Sequence, residues 1–335
     1  MKKNILLTGC AGFIGSNFVK TIACEPSVKN EYNFLIMDAL TYAGRKQTLQ
    51  PELDTHSHLS FFQVDIRDSH KVQDFFKQHS VDGILHFAAE SHVDRSIENP
   101  NIFVETNVTG TLNLLNSALK IQAQKPDFRF LHVSTDEVYG SLSETDPAFT
   151  ESTPLAPNSP YSASKASSDM MVRAFFETYK LNCVTTRCTN NYGPYQFPEK
   201  LIPLMIQNAQ ADKKLPVYGN GKNVRDWIYV DDHNRGIWMA FLKGKPGHVY
   251  NFGGNSEKRN LDVVQALLKI MNKPESLISF VEDRKGHDWR YAINYSKAQT
   301  ELGWAPKMTF EEGLQKTVNW YLTNTSWIQM IEKTR

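Results

Sequence analysis

Cysteine is scarce in this chain: Cys10, Cys24, Cys183 and Cys188 are the only four in 335 residues. No two of them form a Cys-x-x-Cys pair or a zinc-ligand spacing. So few, irregularly spaced thiols argue against a disulfide framework and fit a reducing cytosol. The histidines are scattered too, and no metal is expected. Long runs of one charge are also missing, and the formal net charge is +1. A nucleic-acid partner needs a concentrated positive footprint, so none is expected; any anion this chain binds should be small and locally held. No segment approaches the roughly 18–20 apolar residues of a membrane span. Met1-Lys2-Lys3 running into Leu7-Thr8-Gly9-Cys10 imitates a lipoprotein signal, but the apolar stretch between is Ile5 to Leu7 alone. That is short of the ~7–15 residues an export signal requires, so a soluble, cytoplasmic protein is expected.

What is present is the composition of an ordinary globular protein, 41% apolar and 22% charged, in a chain longer than one compact core usually accommodates. The first half alternates short apolar runs with helical patterns. Asn4 to Thr8, Phe34 to Met37, Leu59 to Val64, Gly83 to Phe87 and Phe128 to Ser134 read as buried strands. Phe13 to Ala23, Val72 to Gln78 and Ile102 to Ala123 carry helical spacing between them. This alternation predicts an α/β fold with a doubly wound parallel sheet covered on both faces. After Arg187 the regularity ends. Asn190 to Glu199, rich in Asn, Pro, Gly and Tyr, reads as an ordered loop, and Val249 to Phe252 as a strand returning to the main sheet. The second lobe is therefore a smaller, discontinuous α/β domain. There are no internal repeats and no low-complexity tract.

Thr8-Gly9-Cys10-Ala11-Gly12-Phe13-Ile14-Gly15 follows the first predicted strand and opens a helix. Glycines at Gly9, Gly12 and Gly15 permit a tight turn and let the backbone approach a pyrophosphate at the helix start. Asp38 ends the second strand roughly 20 residues later, where an acid hydrogen-bonds the adenosine ribose. A carboxylate there repels the extra phosphate of NADP and favours NAD; Arg45 lies farther on. Asp65, ending the third strand, is placed to meet the adenine, its plainer alternative being a helix-capping acid. Tyr161 and Lys165 stand four apart behind Ser159-Pro160, a good helix start, so both project from one face. A lysine ammonium near a phenol favours the phenolate and lowers its pKa from ~10.

With the glycine loop and Tyr-x-x-x-Lys together, the chain resembles the extended short-chain dehydrogenase/reductases, over essentially its whole length. Within them it is similar to the dTDP-glucose 4,6-dehydratases, through Ser134-Thr135-Asp136-Glu137-Val138-Tyr139-Gly140, Ala88-Ala89-Glu90-Ser91-His92-Val93-Asp94 and Asn190-Asn191-Tyr192-Gly193-Pro194-Tyr195. Arg225-Asp226-Trp227 and Gly286-His287-Asp288 match as well. Asp136–Glu137 maps onto chemistry: water elimination needs an acid for the departing hydroxyl and a base for the carbon-bound proton.

The resemblance implies a Rossmann NAD-binding domain over residues 1–188 and 227–254, and a nucleotide-sugar domain over 189–226 and 255–335. It implies an internal redox: Tyr161, helped by Thr135, deprotonates the 4-hydroxyl as hydride leaves C4. Glu137 then takes the C5 proton, Asp136 protonates the C6 hydroxyl, and hydride returns to C6. Lys165 also holds the nicotinamide ribose. Phe13, Ile14, Leu40, Thr41, Ile66, Ala88, Ala89, Ser91, Thr106 and Asn191 join the NAD contacts. Ser91, Thr135 and Asn190 reach the sugar, and Lys200, Leu201, Pro216 and Tyr218 surround the base and its sugar. Arg225, Asn260, Arg284 and His287 hold the diphosphate and neighbouring groups. Homodimers of this family pair through two long helices, here Ile102 to Ala123 and Tyr161 to Tyr179. Two positions depart from the pattern: Cys10 stands where glycine or alanine is usual, and Ala39 where lysine is frequent. A UDP-sugar 4-epimerase shares the loop and Tyr161–Lys165 but needs no acid–base pair. A UDP-sugar dehydratase differs in its substrate by one methyl, worth only ~1–3 kcal/mol in discrimination.

Overall fold

The computed structural model describes residues 1–333. The strands of its first half are β1 (Lys3–Thr8), β2 (Tyr32–Asp38), β3 (Leu59–Gln63), β4 (Gly83–His86), β5 (Arg129–Thr135) and β6 (Cys183–Cys188). Then come β7 (Asn190–Tyr192), β8 (Leu215–Tyr218), β9 (Val224–Tyr229), β10 (Val249–Phe252), β11 (Glu257–Arg259) and β12 (Ile278–Val281). A seven-stranded sheet runs β3-β2-β1-β4-β5-β6-β10, parallel throughout.

Ile5, Leu6 and Leu7 are each at most 1% exposed. Alternate side chains of a strand point to opposite faces, so Ile5 and Leu7 enter one core with Phe18, Ile36 and Phe252. Leu6 enters the other, with Met37, Ile84, Phe130 and Phe175. Burial on both faces is why these strands read as unbroken apolar runs. Because β1 pairs with β2 on one side and β4 on the other, strand order reverses there, and a crevice opens at the carboxyl ends of β1 and β4. A third core, with Ile206, Val217, Trp227, Leu267 and Tyr321, fills the second lobe, beneath the small sheets β11-β9-β7 and β12-β8.

The five expected strands of the first half form, and Val249–Phe252 joins the main sheet beside β6. Three features differ from expectation. The sixth strand, Cys-Val-Thr-Thr-Arg-Cys, carries too much polarity to read as buried, yet all six residues are. Thr186 Oγ1 donates to the His132 carbonyl at 3.4 Å, and Arg187 pairs with Asp169 at 2.8 Å. Asn190 to Tyr192, expected as loop, forms β7 through parallel pairing with β9. The helix expected over Ile102 to Ala123 is instead Pro100–Phe103, a wide-turned segment Val104–Gly110, and Thr111–Gln122. Its wide turn carries Asn107, whose amide grips both the N–H and the carbonyl of Glu90, at 2.9 and 3.0 Å. Among the described residues no helix is long and apolar enough to cross a membrane.

Trp304 ties the second lobe to the sheet. Fully buried, it packs edge-on against Phe252 with ring centres 4.7 Å apart, and its indole N–H donates to the Asp232 carbonyl at 2.9 Å. Trp304→Ala should lower the unfolding free energy by about 3–5 kcal/mol, measured by urea denaturation.

Candidate active site

The crevice at the β1–β4 reversal encloses about 300 Å³. Gly9 leaves β1 at a φ of +73°, and a Cβ there would lie 2.5 Å from the Ala88 backbone. Only glycine fits both the conformation and the space. A Cβ at Gly15 would meet Cys10 at 2.6 Å, so this glycine lets the helix settle onto the turn. Cys10 is fully buried within the core beneath the loop, so its thiol packs away from the cleft rather than tightening it. Gly12, Phe13, Ile14 and Ala39 line the wall. This cradle, which a single Cβ would fill, fits a dinucleotide.

Asp38 buttresses the loop as well as facing the cleft. Its carboxylate accepts from the Ala11 and Leu40 N–H groups, both at 2.8 Å, and burial raises its pKa against those bonds. Leu40, held at a φ of +56°, stands outside the cleft lining. Arg45 Nη1 donates to the Thr41 and Gly44 carbonyls at 3.0 and 2.9 Å, which ties it to its own turn. Asp65 lines the cleft and pairs with Arg67 at 2.6 Å. Burial pushes that carboxyl up, but the Arg67 bonds outweigh it and hold it below the usual range. Capping falls instead to Asp68, which accepts from the N–H groups of His70 and Lys71. Thr41, Ile66, Ala88, Ala89, Ser91, Thr106, Asn190 and Asn191 all line the same cleft.

Beyond the ribose region stand Thr135, Asp136, Glu137, Tyr161 and Lys165. The acids follow the end of β5, opening a short helical turn that Thr135 caps by accepting from the Glu137 N–H at 3.3 Å. The Thr135 hydroxyl donates to Asp136 Oδ1 at 3.3 Å, while Asp136 Oδ2 is buried without a protein partner. Burial raises the Asp136 pKa well above the carboxylate range, with the Glu137 and Asp226 charges adding to it. Glu137 is also raised by burial, but Lys200, Arg284 and Arg225 oppose the shift. The pKa values of the two neighbours are thus pushed apart, Asp136 raised further and Glu137 held back by its cations.

Ser159 and Ser162 form a reciprocal capping box, with Pro160 in the first turn, at the start of helix Pro160–Tyr179, which delivers Tyr161 and Lys165 to the cleft. Expectation and structure part over the phenol. Burial, then the Glu137 and Cys188 charges, raise the Tyr161 pKa well above its ordinary value, against a hydrogen bond with Thr135. The Lys165 ammonium is committed to the Val133 carbonyl at 2.9 Å and is itself brought down to about 8 by burial. Burial, reinforced by the Glu137 charge, outweighs the lysine's field.

The second lobe closes the far end. Lys200, in the cleft lining, donates to the Ser91 carbonyl at 3.0 Å, and Leu201 opens the helix Leu201–Gln210. Arg225 stacks on Tyr291 at 4.3 Å and donates to the carbonyls of Val224, Asp288 and Trp289. Arg284 lies 3.8 Å from Asp94, with its Nε buried and unpartnered. His287 pairs with Asp283 at 2.7 Å and meets the Tyr218 ring edge-on. Pro216 and Tyr218 lie on β8, and Asn260 begins the helix after β11. Leu201, Pro216, Tyr218, Arg225, Asn260, Arg284 and His287 stand outside the lining of the main cleft.

Residues missed at the sequence level also line it. Among them are Tyr42, Arg67, Glu90, Phe197 and Glu199. Arg95 stacks on Tyr42 at 3.8 Å and reaches Glu199 at 3.3 Å. The available signal is the continuation of the Asn190–Tyr195 motif into Gln196-Phe197-Pro198-Glu199, a stretch whose composition reads as loop.

Fold and cleft define an extended short-chain dehydrogenase/reductase that uses NAD. The family model described as GDP-mannose 4,6 dehydratase matches residues 6–317. A dTDP-glucose 4,6-dehydratase of Xanthomonas campestris is 53% identical, covering 97% of this chain and 94% of that one. One from Escherichia coli is 49% identical, covering 98% and 96%. The chain belongs to the GDP-mannose 4,6 dehydratase family and, within it, to the dTDP-glucose 4,6-dehydratases. Among solved structures, the Streptomyces venezuelae dTDP-glucose 4,6-dehydratase with NAD bound superposes with a TM-score of 0.92 at 46% identity, covering 98% of this chain and 99% of that one. A UDP-glucose 4-epimerase from Thermotoga maritima reaches 0.86 at 29% identity, over 96% and 99%.

Proposed function

We propose that this enzyme dehydrates dTDP-glucose to dTDP-4-keto-6-deoxyglucose by internal redox, with Thr135, Asp136, Glu137, Tyr161 and Lys165 as its catalytic set. The observation that carries the reading is the buried Asp136, raised in pKa and with one oxygen unpartnered, adjoining Glu137 at the edge of a dinucleotide cleft. The cradle at Gly9, Gly12 and Gly15, with Asp38, Asp65 and Lys165, holds NAD, which when bound supplies a hydride acceptor at the start of the reaction and a hydride donor at its end. Tyr161 draws the proton from the sugar's 4-hydroxyl with Thr135 beside it. Once C4 is a ketone the C5 proton is acidic, and Glu137 removes it while Asp136 protonates the departing C6 hydroxyl. Glu137 then returns a proton to C5. The first lobe carries NAD and the second the nucleotide.

Mass spectrometry after incubation with dTDP-glucose, and with UDP-glucose in parallel, tests this. Loss of one water from the dTDP sugar without net NADH accumulation is expected. Water loss from the UDP sugar alone would keep the mechanism and change the substrate. An unchanged mass with inverted C4 would make the chain an epimerase, the reading that the 29% identical neighbour favours and Asp136–Glu137 opposes.

The pH profile follows from the shifted groups. Lys165 acts as an ammonium, and its pKa is brought down to about 8; it is charged below that value, so kcat/KM should fall as pH rises through about 8. Glu137 acts ionised and its pKa is raised, so the acid limb should lie above the pKa of an ordinary glutamate. We place the enzyme in the cytoplasm as a homodimer paired through Pro160–Tyr179 and Thr111–Gln122. Light scattering of the purified protein reads its mass; a monomer would refute the dimer.

A further inference from the structure

Behind Lys165 lies a buried charged chain that the proposed mechanism does not use. Asp169 follows Lys165 by four residues on the same helix, so both side chains leave one face. His132, fully buried on β5, brings Nε2 within 3.2 Å of Asp169 Oδ1, and the same nitrogen lies 3.5 Å from Lys165 Nζ. The other carboxylate oxygen accepts from Arg187 Nε at 2.8 Å. Asp169 and Arg187 also line a second cavity, which reaches the exposed residues Met170 and Arg173. Titratable groups near this chain include Tyr161, one helical turn before Lys165, Cys188 of β6, His86 of β4, whose ring centre is 5.4 Å from that of His132, and Tyr139, on which Arg187 stacks at 4.7 Å.

We infer that Asp169 is a positioning residue for Lys165: with His132 as spacer, its carboxylate keeps the ammonium charged and stationed behind Tyr161. His132 stays neutral, consistent with a pKa lowered to about 4, first by burial. Its Nε2 faces both the Asp169 carboxylate and the ammonium, and the ammonium donates to the Val133 carbonyl. Asp169 is itself held ionised, at about 2, where Arg187 and His132 outweigh burial. Its negative charge is the first of the influences that resist the lowering of Lys165 by burial. Arg187 shares that charge and so limits its effect on Lys165. The inference deepens the catalytic role proposed for Lys165 and rests on that reading.

The test has one readout tied to activity and one independent of it. Asp169→Asn keeps the shape and removes the charge. It should move the alkaline limb of kcat/KM down by about one unit, the size expected for losing one nearby opposite charge. At pH 8 the charged fraction of Lys165 then falls about fivefold. NMR titration of the Lys165 ε-methylene in ¹³C-lysine-labelled protein, assigned with Lys165→Arg, should show the same displacement whatever substrate the enzyme takes. The second cavity permits a sharper arm: in Asp169→Ala, added formate should return the limb toward its original position. Should Asp169→Asn fail to fold, Arg187→Gln must shift Lys165 the other way, because Asp169 then acts on it undivided. A uniform loss of activity at every pH, with the Lys165 titration unmoved, would reduce Asp169 to a structural residue and overturn the inference. A normal NMR shift with no dehydration of dTDP-glucose would instead fault the substrate reading and leave the inference standing.

Discussion

Glu137→Gln should lower kcat by roughly 10²–10⁴, the range that one positioned acid–base group contributes, while leaving binding of dTDP-glucose nearly intact. Glutamine keeps the backbone N–H that donates to Thr135 and nearly the same volume, so the fold and its capped turn survive. What goes is a carboxylate whose burial shift is opposed by three cations, Lys200, Arg284 and Arg225. Oxidation at C4 does not need that base, whereas removal of the C5 proton does. The variant should therefore stall with a 4-keto hexose bound, visible as 340 nm absorbance from reduced cofactor and as substrate that never loses water. Asp136→Asn gives a complementary pattern. Its carboxyl has a raised pKa, which suits a proton donor, and accepts from Thr135, so replacing it should slow departure of the hydroxyl while C5 still exchanges with solvent deuterium. If Glu137→Gln exchanged C5 and Asp136→Asn did not, the two roles would have to be interchanged.

Much of this site was legible in the sequence because its decisive parts are local. Gly9, Gly12 and Gly15 sit within one turn, Asp136 adjoins Glu137, and Tyr161 and Lys165 share a face of one capped helix. Strands β1, β2, β4 and β5 were legible because burial on both faces leaves an unbroken apolar run. What escaped is what only tertiary contact creates. β6 reads as polar until His132 and Asp169 are placed beside Thr186 and Arg187. The wide turn at Val104–Gly110 exists because Asn107 must reach the Glu90 backbone, 17 residues away in sequence. The Tyr161 phenol was expected to be lowered by Lys165, but spacing along a helix says nothing of the wall around it, and the wall decides. Likewise, nothing in the sequence announces that the Arg225 guanidinium is held by three carbonyls and the Tyr291 ring.

Gly9→Ala should be nearly as damaging as a lost catalytic group, through backbone alone. At a φ of +73° an L side chain costs about 1–3 kcal/mol. The added Cβ must also displace the Ala88 backbone, 2.5 Å away at Cα and 2.6 Å at nitrogen, and overpacking of that kind typically costs a further ~1–3 kcal/mol. Gly303 separates the two effects. It has nearly the same φ, +72°, but nothing lies within 4 Å of its would-be Cβ, so Gly303→Ala should show the strain without the clash. Because Ala88 follows the neighbouring strand β4 on the far lip of the cleft, the clash at Gly9 pushes the lip and the glycine turn apart. The cradle for the pyrophosphate is then lost along with stability. Saturating NAD at a hundredfold excess over its Kd stabilises a protein by about 2.7 kcal/mol. Thermal unfolding with and without NAD should therefore keep that gain in Gly303→Ala and lose it in Gly9→Ala. An undiminished NAD shift in Gly9→Ala would mean that the loop opens without harm, and that the close approach of β1 to Ala88 is packing rather than a binding requirement.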